Sequence, residues 1–270
     1  MRLTSGLCAT LVALLLVSVG VLSGTGAAFA GDRAQVAVIG FSPDGASVAF
    51  EEYGSQDGSG FPYANIYVLD VAANDWVAGS PVRVMITDEQ MSEDELFTVG
   101  VAAARAQAME QAAPVIAARG IVPGNVGQTV IHHPFGDVDA PAYEVRFSIA
   151  AGLNTYFSEH NTLRLTLSPT RSETCVGYGI DEVFIFTLTV GPDHAPTVLQ
   201  QDRQLPRSRV CPTDYRITHL VAYGLDHADQ SQCCAERYAL LVLLAMEMSP
   251  GFEGPDTRYL GVSGIVPLQP

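Results

Sequence analysis

Leu240-Leu241-Val242-Leu243-Leu244-Ala245-Met246 is an unbroken apolar run of seven residues. A membrane-spanning helix needs about 20 apolar residues, so this run is too short to cross a bilayer and reads as a buried strand. Working outward, strand-like runs recur at Arg258 to Val266, Tyr215 to Tyr223, Val183 to Val190, Leu163 to Leu167, Tyr143 to Ala150 and Gln128 to His132. Gly191-Pro192-Asp193 and Gly254-Pro255-Asp256 supply turn chemistry between them. Gln35 to Ile39, Ser47 to Tyr53, Ala64 to Val71 and Val82 to Ile86 form an N-terminal four-stranded meander. Its first turn is Ser42-Pro43-Asp44-Gly45, where Pro43 presets φ and Gly45 takes the positive φ that a tight turn requires.

One segment departs from the strand pattern. Ser92-Glu93-Asp94-Glu95 is a capping box ahead of the alanine-rich Leu96 to Ala113, with Pro114 near the end and Gly120 as a C-terminal stop. The fold class is therefore mainly β: about eleven or twelve strands in antiparallel meanders, propeller-like or as a sandwich, with one α-helix near residues 92–118. Residues 31–270 are expected to form a single β-rich domain, with an internal boundary near 120 left open.

Composition removes many function classes. The chain of 270 residues is 48% hydrophobic and 16% charged, which excludes a disordered or collagen-like polypeptide. All 14 basic residues are arginine. Without lysine there is no P-loop lysine, no Schiff-base chemistry and no Ser-Lys dyad. No H-E-x-x-H, G-x-S-x-G or G-x-G-x-x-G motif occurs, so zincin, serine hydrolase and dinucleotide-binding readings lack local support.

Arg2 is the only charge before Asp32, and an apolar stretch from Leu7 to Leu22 leads to Ala28-Phe29-Ala30. This is the pattern of a secretory signal peptide over residues 1–30, cleaved near Ala30, and it predicts a periplasmic or secreted bacterial protein with no membrane span in the mature chain. Cleavage leaves 13 Arg against 29 Asp plus Glu, a net charge of −16. So acidic a chain is a poor partner for nucleic acid, whose recognition rests on basic side chains neutralising phosphate.

Four cysteines follow the signal: Cys175, Cys211, Cys233 and Cys234. An even number in an exported chain reads as disulfides. Bridging the adjacent Cys233 and Cys234 would strain the peptide bond between them, so each is expected to reach outward, one to Cys175 and the other to Cys211. No C-x-x-C spacing supports zinc, and neither a metal nor a cofactor is expected.

The candidate site residues lie in two acidic, Gly/Pro-rich loops and the strand ends beside them. Glu51 and Glu52 are adjacent on a strand, so they face opposite ways and cannot form a catalytic dyad with each other. Either could meet Asp57, Glu253 or Asp256; two carboxylates about 5 to 9.5 Å apart would permit glycoside hydrolysis if one had a raised pKa. The blander reading has them bonding loop amides or Arg258. Phe61 and Tyr63 in one loop and Phe252 in the other add aromatic surface suited to binding. His132-His133 near Asp137 and Asp139 is read as a strand end and turn. The lone Trp76 is read as a packing residue.

Gly40-Phe41-Ser42-Pro43-Asp44-Gly45, Val48-Ala49-Phe50 and Asn65-Ile66-Tyr67-Val68-Leu69-Asp70 resemble one blade of the TolB-type β-propeller repeat. A longer likeness rests on Phe50 through Tyr63, Cys211-Pro212-Thr213-Asp214-Tyr215-Arg216-Ile217 and Gly251 through Tyr259. On these the chain is similar to an uncharacterised family of bacterial predicted secreted proteins. That resemblance implies export and one architectural unit, and brings no activity with it. The leading expectation is a non-catalytic β-scaffold that binds an envelope protein, glycan or peptide. The alternative is a carboxylate-dependent hydrolase of envelope polysaccharide or peptide, and a third reading is a purely structural envelope protein.

Overall fold

The computed structural model describes residues 31–134, 137, 139–149, 161–225, 237–249 and 254–267. The expected signal peptide, Cys233, Cys234, Phe252 and Glu253 lie outside the described residues. Among the described residues thirteen strands run in chain order: β1 Gln35–Phe41, β2 Ser47–Ser55, β3 Pro62–Asp70, β4 Asp75–Trp76, β5 Val82–Met85, β6 Gln128–His132, β7 Glu144–Phe147, β8 Asn161–Thr170, β9 Val183–Gly191, β10 Thr197–Gln201, β11 Pro212–Gly224, β12 Arg237–Met248 and β13 Asp256–Pro267. The helices are α1 Glu93–Thr98, α2 Gly100–Ala118 and α3 Glu173–Val176.

The strands make three antiparallel sheets. The first follows β1-β2-β3-β4, with β5 also on β3; the second is β10-β9-β8-β7; the third is β13-β12-β11-β6. The third sheet lies between the other two, and β12 shows why its sequence is continuously apolar. Leu240, Val242, Leu244 and Met246 pack with Leu163, Leu165, Phe186 and Leu188 of the second sheet. The alternate residues Ala239, Leu241, Leu243 and Ala245 pack with Val48, Phe50 and Leu69 of the first. A strand with sheets on both faces has no solvent side on which to place polar residues. Fully burying each such leucine contributes about 1.5–3 kcal/mol. The sheets are thus stacked face to face as in a sandwich, and among the described residues none closes into a barrel.

The outer face of the first sheet carries α2. Gly100, Ala104, Ala108, Ala112 and Ile116 are its buried residues, one every fourth position. This spacing keeps them on one helical face, and their small size lets the helix lie close on Ala49, Ala64, Ile66 and Val68.

The single helix expected over 92–118 is two. Its capping box forms, with Ser92 N–H donating to the Glu95 carboxylate at 3.1 Å. The helix then breaks at Val99, whose φ of −129° and ψ of −7° are not helical. Gly100 abuts β3 so closely that a Cβ there would stand 2.6 Å from Pro62 Cγ. The turn at Val99 re-aims the chain so that α2, with its alanine face, can settle on the sheet. The expected Ser42–Gly45 turn forms, with Gly45 N–H donating to Ser42 O at 2.8 Å and Gly45 at φ 66°.

Candidate functional site

Period-two alternation on β2 and β3 directs Phe50, Glu52, Tyr63, Asn65 and Tyr67 toward the third sheet. Glu52 pairs directly with Asn65 and Phe50 with Tyr67 across the ladder. The Phe50 and Tyr67 rings stack at 4.8 Å. Glu52, 1% exposed, accepts hydrogen bonds from Asn65 Nδ2 at 3.0 Å and from the Tyr259 backbone N–H at 2.5 Å. Burial raises its pKa above the ordinary carboxylate value, against the lowering effect of these two donors.

A second carboxylate stands beside it. Asp32 accepts Tyr63 O–H at 3.1 Å and Arg258 Nη2 at 2.6 Å, while its own backbone N–H donates to Asp256 Oδ1 at 2.9 Å. The Arg258 guanidinium also lies 4.9 Å from the centre of the Tyr63 ring. Burial raises the Asp32 pKa, with Arg258 opposing it. Both acids therefore shift upward, and neither is pushed away from the other as an acid and base pair requires.

These groups close the free edge of β13. Thr257 N–H donates to Asp32 O at 2.7 Å, Tyr259 N–H goes to Glu52, and Ser263 N–H goes to Asn74 Oδ1 at 2.8 Å. An edge strand presents a row of unpaired amides to any passing strand, and one backbone carbonyl with two side-chain acceptors, at residues 257, 259 and 263, blunts that template. Glu52 and Asp32 are in this sense architectural.

Beyond Glu52 the two hairpins β2–β3 and β12–β13 leave a cavity of about 230 Å³, lined among others by Asn65, Tyr67, Trp76, Arg83, Met246 and Gly261. Trp76 was expected to be a packing residue; it sits instead on the two-residue β4 and is 37% exposed. Its ring meets Tyr67 at 5.9 Å and carries the Arg83 guanidinium at 6.0 Å. The cavity thus combines aromatic faces, the arginines Arg83, Arg209 and Arg258, an amide and a buried carboxylate, a set that can stack on a flat group and hydrogen-bond its rim.

The structure brings together Glu52, Tyr63, Asp256 and Arg258 of the candidate residues. Glu51 faces the other way, where its carboxylate accepts Arg105 Nε at 3.1 Å and pairs with Arg105 Nη2. Asp57 and Phe61 stay in the β2–β3 turn, which Gln56 N–H closes on Phe61 O at 2.9 Å. His132 stacks on His219 at 4.6 Å, and the His133 backbone N–H donates to Thr218 O at 2.7 Å. No group of three or more His, Cys, Asp or Glu side chains suited to a metal occurs among the described residues.

The disulfide expectation needs correction. Cys175 bonds Cys211, a pairing that uses neither Cys233 nor Cys234. The adjacency of Cys233 and Cys234 disfavours a bond between those two and places no constraint on Cys175 and Cys211. Folding sets Cys175, on α3, against Cys211, at the head of β11, with Cα atoms 5.4 Å apart, which is ordinary disulfide spacing.

Asp32, Asn65, Tyr67, Arg83 and Arg105 were missed. Asp32 and Arg105 act across 226 and 54 residues of chain, separations that no local motif reports. Asn65 and Tyr67 carried a signal, since both fall on the same alternating face of β3 as Tyr63.

Comparison with known proteins adds one finding. A family described as predicted secreted proteins (DUF2259) matches residues 49–264. The chain belongs to this family. The matched span runs from β2 to β13, so in this DUF2259 member it takes in Glu52, Trp76 and Arg258, and leaves out Asp32. No curated protein and no solved structure matches the chain. In keeping with a secreted family, no helix among the described residues is long and apolar enough to cross a membrane.

Proposed function

We propose that the protein is a non-catalytic binding module exported to the bacterial envelope, and that the Trp76 cavity seats one ring or side chain of an envelope glycan or peptide. The observation that carries this reading is the employment of the carboxylates. Glu51 is held by Arg105, Asp32 by Arg258 and Tyr63, and Glu52 by the Tyr259 and Asn65 N–H groups. A hydrolase needs one carboxyl free to protonate a leaving group and a second free to attack or to activate water. Here the acids serve the scaffold, while the aromatic and arginine side chains face the opening. A cavity of about 230 Å³ is smaller than the roughly 300–1,000 Å³ of sites for drug-sized ligands, and suits a single ring or residue.

Trp76 is the only tryptophan of the chain, so its emission reports on the cavity alone. Titration with N-acetylglucosamine oligosaccharides and with short peptides should give a saturable change in that emission from one class, weakened at least tenfold by Arg83→Ala. Unchanged emission with both classes, in protein shown to be folded by circular dichroism, would overturn the proposal.

A further inference from the structure

A second cavity, of about 460 Å³, lies beside the Cys175–Cys211 disulfide and is lined by Arg171, Arg203, Arg207 and Arg209. Thr170, Ser172 and Thr174 contribute hydroxyl groups to the same wall. Four of the 14 arginines thus converge on one opening in a chain whose formal charge is −15. Guanidinium groups gathered this way repel one another unless anions separate them. The protein supplies only part of that neutralisation. Arg209, 7% exposed, is matched by the buried Asp202 and lies over the Phe186 ring at 4.6 Å. Arg171 meets Glu173 at 3.6 Å, with both side chains largely in solvent, where such a pair is worth about 0–1 kcal/mol. Arg203 and Arg207 are exposed and form no ion pair among the described residues.

We infer that this cleft binds an oxyanion, a phosphate or carboxylate group, with Arg203 and Arg207 as its primary cations and the Thr170, Ser172 and Thr174 hydroxyls as further donors. The chemistry of the lining favours that class. Guanidinium forks match planar or tetrahedral oxyanions through paired N–H donors, and they remain charged at every physiological pH. The wall is also preorganised: the disulfide ties α3 to β11, and the Arg209–Asp202 pair anchors the segment that carries Arg203 and Arg207. In a chain whose net charge is −15, this gathering of guanidinium groups is where an anion meets a favourable local field.

Isothermal titration of the full chain with inorganic phosphate, citrate and glucose 6-phosphate tests the inference. At least one should bind at 1:1 stoichiometry, more weakly as NaCl is raised, and Arg203→Gln with Arg207→Gln should weaken it at least tenfold. Both positions are exposed, so the double variant should retain the wild-type melting temperature. Arg119→Gln, which alters an exposed arginine away from the cleft, should leave the affinity unchanged. Glucose 6-phosphate binding as tightly as phosphate would assign the site to an ester carried on a larger molecule. Phosphate or citrate alone would assign it to a free anion. Absence of saturable binding up to about 10 mM of all three, or binding indifferent to the double variant, would overturn the inference. The Trp76→Leu change should not affect this binding, which separates it from the glycan or peptide site.

Discussion

The Tyr259 backbone N–H donates to the Glu52 carboxylate at 2.5 Å, so an acid on one hairpin seals the open edge of a strand in the neighbouring sheet. Glu52 is 207 residues from Tyr259 in sequence, and its bond joins β2 directly to β13. Removing the acceptor leaves a buried amide unsatisfied, at a cost of about 1–3 kcal/mol. Glu52→Ala should lower stability by that amount or more in urea denaturation. An unchanged midpoint would show that the edge is closed by other means.

Because burial raises the Glu52 and Asp32 pKa values, the native state holds more protons than the unfolded chain between the ordinary and the raised values. Their contribution is fully present below the unfolded carboxylate value and is lost as pH rises through the folded one. Glu52→Gln should therefore flatten this part of the dependence of urea midpoint on pH above about 4.5. A profile that parallels wild type would refute the assignment.

His219 carries the opposite sign. Burial, assisted by His132 and His133, lowers its pKa from 6.5 to about 4. The unfolded chain then binds the extra proton between those values, so stability is full above 6.5 and is lost as pH falls toward 4. His219→Phe keeps a ring against His132 and should be less destabilised than wild type on going from pH 7 to pH 5. Equal losses in the two proteins would count against a buried neutral imidazole.

Arg258 is the cation that balances the buried Asp32. Arg258→Met should destabilise by about 3 kcal/mol, because it strands a carboxylate in a low-dielectric site. Adding Asp32→Asn should restore part of that loss. If the two changes proved additive in thermal unfolding, no pairing energy would join the residues.

Gly261 and Phe50 meet face to face: a Cβ on Gly261 would stand 2.5 Å from the Phe50 ring. Gly261→Ala should therefore overpack the core between the first and third sheets and lower stability by about 1–3 kcal/mol. Gly261→Ala combined with Phe50→Leu should recover part of it, as measured by differential scanning calorimetry.

Much of this architecture was legible beforehand. The continuous apolar run of β12 predicted a buried strand, and the Ser42–Gly45 turn and the Ser92–Glu95 capping box both form where their residues stand. These are local matters, decided by side-chain period, φ preference and capping within a few residues. The break at Val99 was not legible, because it lies where Gly100 abuts Pro62, 38 residues away in the chain. Nor was the Cys175–Cys211 pairing, which depends on where α3 and β11 meet.

For the site, the alternation of Glu51 and Glu52 foretold that they would separate, and they do, one to Arg105 and one to Tyr259. Which partner each acid finds was not readable, since Asp32, Arg105 and Arg258 come from distant parts of the chain. The amino-acid sequence by itself determined strand-rich character and the list of polar groups available, both set by composition and short-range period. Tertiary structure alone decided that the acids would close an edge, that Trp76 would line a cavity and that four arginines would converge. Those outcomes depend on which sheet faces which, and that is settled by the burial of whole faces rather than by any neighbouring residue.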